Sequence, residues 1–189
     1  MASLIAVNAV CAGIARQLGL AHQLSPVKDT SCLFAVVGSK DLKDLSTKGT
    51  TCSIFLYRIT HNEHTRSPRS SPRGPLTVNL HLLFSMWADS PLKEHGILGW
   101  LMRELYDHPV LDRSTLGASG AFADGELVQL IPEELTLDDL SKLWQLLAQP
   151  YRLSATYVAR NVRIGTQADA GAPVAATRFV VSDDVAVEP

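Results

Sequence analysis

The residues best able to do chemistry are sparse in this chain. His61 and His64 form the closest histidine pair, with Glu63 between them. Two imidazoles at this spacing hold zinc only if further donors stand within about 2.0–2.3 Å on a fixed framework. Such a site would support metal-assisted hydrolysis. The pair lies in a proline- and serine-rich stretch and not on a helix face, so two solvated loop histidines are the plainer reading. The segment Gly117-Ala118-Ser119-Gly120 matches a nucleophile elbow only loosely. Position 121 is Ala, and an elbow needs a strand before it and a helix after it. Glu133-Glu134 and Asp138-Asp139 are paired carboxylates, but they sit where a helix start attracts negative charge. They read as helix-start residues and not as an acid/base dyad. His81 is expected to be a satisfied residue on a polar strand face, and His95 and His108 to bracket a helix. No dinucleotide fingerprint or phosphate-binding loop occurs in the sequence.

The most suggestive polar set is Arg66, Arg69 and Arg73, spaced by three and four residues. The stretch 61–75, HNEHTRSPRSSPRGP, holds three prolines, three serines and three arginines and no aliphatic residue. Proline removes backbone donors and serine competes for backbone bonds, so this is an exposed loop. Its guanidinium groups suit a carboxylate-rich protein surface or phosphates, and equally a solubilising role.

The flanking segments must position that loop. Residues 51–60 read as a strand, with Ile54 and Leu56 on one side and Phe55 and Tyr57 on the other, so both faces are expected to be covered. Residues 76–87 alternate more strictly. Leu76, Val78, Leu80, Leu82, Phe84 and Met86 make one apolar face, and Thr77, Asn79, His81 and Ser85 make the other. The two strands form an antiparallel hairpin with a long basic tip. Upstream, Ser3 can cap a helix that runs to about Leu18 and stops at Gly19. A short strand is expected at 32–37 and a surface helical turn at 41–45. Downstream, Ser90-Pro91 starts a helix ending at His108-Pro109, with Ile97, Leu98, Leu101, Met102 and Leu105 at helical spacing. Residues 111–125 read as a loop and 126–131 as a short strand. Thr136 and Asp139 open a helix over 137–148, which Pro150 stops. Trp144 and Tyr151 read as packing residues, and 151–164 as a third long strand. The expected fold is α+β: a mixed, largely antiparallel sheet with a long hairpin and three main helices, over 1–164. Residues 165–189 form a linker and tail with one strand-like stretch at 177–181.

The whole-chain arithmetic agrees. At 189 residues with 46% hydrophobic and 19% charged residues, the chain can build one core and is not globally disordered. A net charge of -2 gives no basic field for coating nucleic acid. The most apolar N-terminal run, 4–10, is too short to span a membrane and has no positive segment before it, so cytoplasmic synthesis is expected. Cys11, Cys32 and Cys52 lack metal or redox spacing and read as buried thiols in a reducing compartment. Nothing in the residues calls for a cofactor.

Three blocks, in order, resemble a known family. They are Phe55-Leu56-Tyr57-Arg58-Ile59-Thr60-His61-Asn62 followed by the Pro/Arg loop and Pro75-Leu76-Thr77-Val78-Asn79-Leu80; Glu94-His95-Gly96-Ile97-Leu98-Gly99 leading into Leu105-Tyr106-Asp107-His108-Pro109-Val110-Leu111; and Leu137-Asp138-Asp139-Leu140-Ser141-Lys142-Leu143-Trp144 leading into Gln149-Pro150-Tyr151-Arg152-Leu153-Ser154. Together they resemble the tail terminator, or cap, family of extracellular contractile injection systems, phage-tail-like particles of the antifeeding-prophage and virulence-cassette type. The resemblance implies a tail-terminator-like fold and a structural role without catalysis. It implies a ring, expected to be hexameric, that closes the end of tube and sheath distal to the baseplate and leaves the cell in the assembled particle. Its partners would be further copies of itself and the tube and sheath proteins, with no nucleic acid and no membrane. Closed rings need two different patches per subunit. The basic loop and the acidic tail offer such a pair, and strand addition at a sheet edge is a suitable mode of contact. The candidate interface residues are Arg66, Arg69, Arg73, Arg152, Arg178, Asp183 and Asp184. The alternative is a small metal-assisted hydrolase using His61 and His64.

Overall fold

The computed structural model describes residues 5–28, 30–47, 49–62, 76–116, 122 and 125–165. A six-stranded mixed sheet runs through its centre. Its strands are β1 (Leu33–Val37), β2 (Thr51–His61), β3 (Leu76–Trp87), β4 (Val110–Leu111), β5 (Val128–Glu133) and β6 (Ser154–Ile164), in the order β1-β2-β3-β6-β5-β4. β1 pairs with β2 in parallel, and every other pair is antiparallel. The helices are α1 (Ala6–Gln23), α2 (Pro91–Asp107), the single turn α3 (Arg113–Leu116) and α4 (Leu137–Leu146), with a 3-10 segment at Asp41–Thr47.

Strand alternation divides the side chains between two cores. On one face, Ile54, Val78, Leu80, Leu82, Phe84 and Met86 pack against α1 and α2. On the other, Phe55, Tyr57, Leu83 and Trp87 meet Trp144 of α4 together with Leu42 and Leu45 of the 3-10 segment. Both faces of the hairpin are therefore covered, as its sequence predicts. Buried apolar area of this kind contributes about 25 cal/mol per Å².

Local signals hold at most element ends. Proline occupies the first turn of α2, and His108 follows its last residue. Thr136 accepts a bond from the Asp139 amide at 3.1 Å and caps α4. Ala148, at φ 52°, turns the chain out of that helix before Pro150.

Several expectations need correction. α1 continues past Gly19 to Gln23, because Leu18 and His22 lie on its buried face and packing outweighs glycine's weak helix propensity. Ile5 occupies its N-cap position, and Ser3 lies outside the described residues. The region read as a loop contains β4 and α3. Leu111 and Leu116 are buried there, since a short run of two anchors suffices once a neighbouring strand and helix supply the rest. Gly13 makes this possible: a Cβ there would lie 2.9 Å from the Thr115 carbonyl oxygen, which Arg16 of α1 also binds. β5 is displaced towards the C-terminus and includes Pro132. α4 ends two residues early, and β6 begins at Ser154 and not at 151. The turn at 41–45 is anchored from beneath by Leu42 and Leu45, while Asp41 and Lys43 are exposed. Met102 and Tyr106 stay exposed on α2, while Cys11 and Cys52 are buried and Cys32 is half-buried.

Candidate subunit interface

The arginine loop leaves the sheet from His61 at the end of β2 and returns at Leu76, the start of β3. Leu76 pairs with Ile164, the last residue of β6. The basic loop and the acidic tail therefore spring from adjacent strand ends. Asn62 donates from Nδ2 to Asn161 Oδ1 at 2.7 Å and ties the two exits together. Asn161 has φ 62°, and its amide donates to Asn79 Oδ1 at 3.3 Å, at an irregularity in the β3–β6 ladder. Asparagine tolerates this left-handed conformation better than most residues. Arg66, Arg69 and Arg73, and Arg178, Asp183 and Asp184, lie outside the described residues. So does His64, while His61 is exposed at the strand end. Among the described residues, no cluster of three or more His, Cys, Asp or Glu side chains could hold a metal ion.

Arg152 is the one predicted interface residue that is described. It sits at the opposite end of the sheet, just before β6. Its guanidinium lies over the Trp87 ring, 4.8 Å from the centroid. Stacking of this kind is worth about 0.5–2 kcal/mol, depending on desolvation, and it fixes the plane of the fork. The Nε atom is buried without a hydrogen-bond partner, and no described carboxylate pairs with the side chain. Beside it is a hollow of about 190 Å³ lined by Gly49, Thr50, Trp87, Ala88, Asp89 and Arg152. Asp89 is engaged by Lys93 at 2.8 Å, and that ammonium holds its carboxyl below the usual range.

A polar network on the α4 side of the sheet could not be read from spacing. Tyr57 donates to Glu133 Oε2 at 2.6 Å. Glu133 also meets His81 Nδ1 at 2.9 Å, and His81 Nε2 lies 3.0 Å from Thr60 Oγ1. Thr156 donates to the Glu133 carbonyl at 2.5 Å. Glu133 is thus the last residue of β5 and not a helix-start residue. The ladder is irregular between Leu56 and Arg58, which resets the alternation and brings Thr60 to the same face as Tyr57. Burial first, then the bond to Glu133, push the Tyr57 phenol well above its usual range. Hydroxyl, imidazole and carboxylate follow one another as in a nucleophilic relay. Thr60, however, lies within a strand opposite Asn79 and not on an exposed elbow. The network braces β2, β3, β6 and β5 across four strands. Its partners are 21 to 76 residues apart in sequence, so no local motif marks it.

The described residues define a structural class: an α+β sheet module covered by helices on both faces and braced by polar groups across four strands. Residues 9–177 match the model of the Pvc16 N-terminal domain, and the chain belongs to that family. Among solved structures, it is similar to the PVC sheath/tube terminator of an extracellular contractile injection system in its extended state. The identity is 21% and the TM-score 0.56, over 98% of this chain and 65% of that one. It is also similar, at 18% identity and a TM-score of 0.46, to the tube-terminating cap of the anti-feeding prophage, over 72% of this chain and 51% of that one. The chain thus spans less than two-thirds of either relative. No curated protein sequence matches it.

Proposed function

We propose that this chain is a non-catalytic structural subunit of a terminator that caps the tube and sheath of a contractile injection particle. Copies form a ring, expected to be a hexamer, on the end distal to the baseplate, where they stop polymerisation and hold the last sheath layer. The observation that supports this reading is family membership over 9–177, with a fold shared over 98% of the chain with a sheath/tube terminator. Among the described residues no helix is long and apolar enough to cross a membrane. In this reading the chain is made in the cytoplasm and leaves with the particle. Negative-stain microscopy tests it directly. Purified chain should form rings, alone or on added tube and sheath ends. A strict monomer under both conditions refutes the proposal.

A further inference from the structure

Among the described strands, β1 is the outermost on its side of the sheet. Leu33 donates its amide to the Thr50 carbonyl at 3.0 Å. In a parallel ladder this assigns Leu33, Ala35 and Val37 to the inner side. The N–H and C=O groups of Phe34 and Val36 then point away from β2. The strand sequence, Leu-Phe-Ala-Val-Val, carries no charge and no proline, and Leu33 and Val36 are exposed. Proteins usually protect such an edge with lysine, proline or a bulge, because bare flat edges pair with other chains. Here none of these guards is present on β1.

The chain also carries a strand former with no described place, Thr177-Arg178-Phe179-Val180-Val181, followed by Asp183-Asp184. Resting on the ring reading above, we infer that β1 accepts residues 177–181 of a second copy as an added antiparallel strand, and that the following carboxylates of that copy engage Arg152. Three observations carry this. The exposed edge offers outward-facing amides and carbonyls, which give affinity to any extended segment. In the antiparallel direction the added strand runs from Val37 towards Leu33, so Asp183 and Asp184 emerge at the end of the sheet where Thr51 pairs with Trp87. That end holds the Arg152 hollow, where the guanidinium is stacked on Trp87 and its Nε has no partner among the described residues, a group suited to a carboxylate. The tail has the matching charge, four acids against one arginine over 165–189.

Geometry favours a second copy over the chain's own tail. The tail departs level with Leu76, whereas Val37 is level with Leu83 and lies three strands away. Helices block a straight path across either face. A strand added outside β1 lies four spacings from β6, so a route round the strand ends is about 19 Å sideways and about 24 Å along, about 43 Å in all. Residues 166–176 reach about 40 Å only when fully extended. Pairing within one chain would use all the slack and surrender the linker's conformational freedom, whereas a neighbour can approach from the side.

The test uses full-length chains in a Cys32→Ser background, where Cys11 and Cys52 are buried. Chains bearing Val36→Cys are mixed with chains bearing Arg178→Cys and treated with a short bis-maleimide. A covalent heterodimer is expected from the mixture. No heterodimer, or bridging only within single chains of the doubly substituted protein, overturns the inference. Changing Asp183→Asn and Asp184→Asn should lower the cross-linking rate about tenfold, as should Arg152→Glu. Combining Arg152→Glu with Asp183→Arg and Asp184→Arg should restore it. A rate unchanged by the two Asn substitutions overturns the carboxylate contact. Rings that form undiminished when Thr177, Phe179 and Val181 are all changed to Gly refute strand exchange but leave the terminator reading standing. Efficient cross-linking by a chain that never caps tubes does the reverse.

Discussion

Trp144 is the sharpest test of how the second core is built. Its side chain is 2% exposed. It meets Trp87 edge-on at 6.2 Å and Tyr151 at 6.5 Å between ring centroids. A buried tryptophan removes about 150–250 Å² from water, or about 4–6 kcal/mol by area. Part of this stays with the alanine Cβ and with relaxation of the site, which leaves the usual cost of about 3–5 kcal/mol for Trp→Ala. One feature lowers it: the indole Nε1 is buried without a described partner. Removing an unpaired donor returns about 1 kcal/mol. Trp144→Ala should therefore destabilise by about 3 kcal/mol. For a domain of this size that is a fall of about 6–12 °C in Tm. Trp144→Phe keeps a ring against Trp87 and deletes the N–H, so it should stay within about 1 kcal/mol of wild type. Thermal and urea unfolding followed by circular dichroism measure both. If Trp144→Ala keeps the wild-type Tm and only assembly fails, Trp144 is an interface residue and the packing argument is wrong.

Burial holds His22 below its ordinary pKa, between Phe34 and Trp100. The unfolded chain then takes up the proton first, so stability is lost as pH falls below about 6.5. His22→Phe should flatten the stability difference between pH 7 and pH 5, and an unchanged slope refutes this. Tyr57 and Tyr157 are both raised by burial. Their unfolded forms ionise first, so stability should fall as pH rises above about 10. Ultraviolet titration should show late phenol ionisation that Tyr57→Phe reduces. A titration that matches the urea-unfolded chain counts against the Tyr57–Glu133 bond. Replacing Arg66, Arg69 and Arg73 together by Ser should leave Tm nearly unchanged, since exposed charges contribute about 0–1 kcal/mol per pair. It should weaken ring formation or docking in a salt-sensitive way. Lys40, Lys43 and Lys48 changed to Ser provide the charge-matched control, and equal assembly of all three proteins at every salt concentration makes the loop a plain connection.

Much of the fold was legible because it is written in short periods. The strict alternation over 76–87 marks β3 to the residue, since its two faces pack against different layers. Pro91 and the Thr136–Asp139 cap mark α2 and α4, since a helix must satisfy its first amides locally. The α+β class, the hairpin, the buried Trp144 and the family resemblance all rest on such signals. The sequence alone also determines the charge of the loop and of the tail.

Only the tertiary structure decided what depends on distant pairing. The parallel docking of β1 on β2 makes β1 an edge, and nothing within Leu-Phe-Ala-Val-Val tells an edge strand from a central one. By sequence Arg152 is a candidate interface arginine with no visible neighbour, and only the fold sets it over Trp87, 65 residues away. Glu133 reads as a helix-start acid until β5, β6 and β3 bring it to His81 and Tyr57. Leu111 and Leu116 lie in a stretch too short and too rich in small residues for any period to register. They are buried because Gly13 lets α1 approach the backbone of α3 closely. A periodic pattern records which face of an element is buried, because burial repeats with the geometry of the backbone. It does not record which other element covers that face, because loop closure permits many partners and only the summed packing of the whole chain selects one.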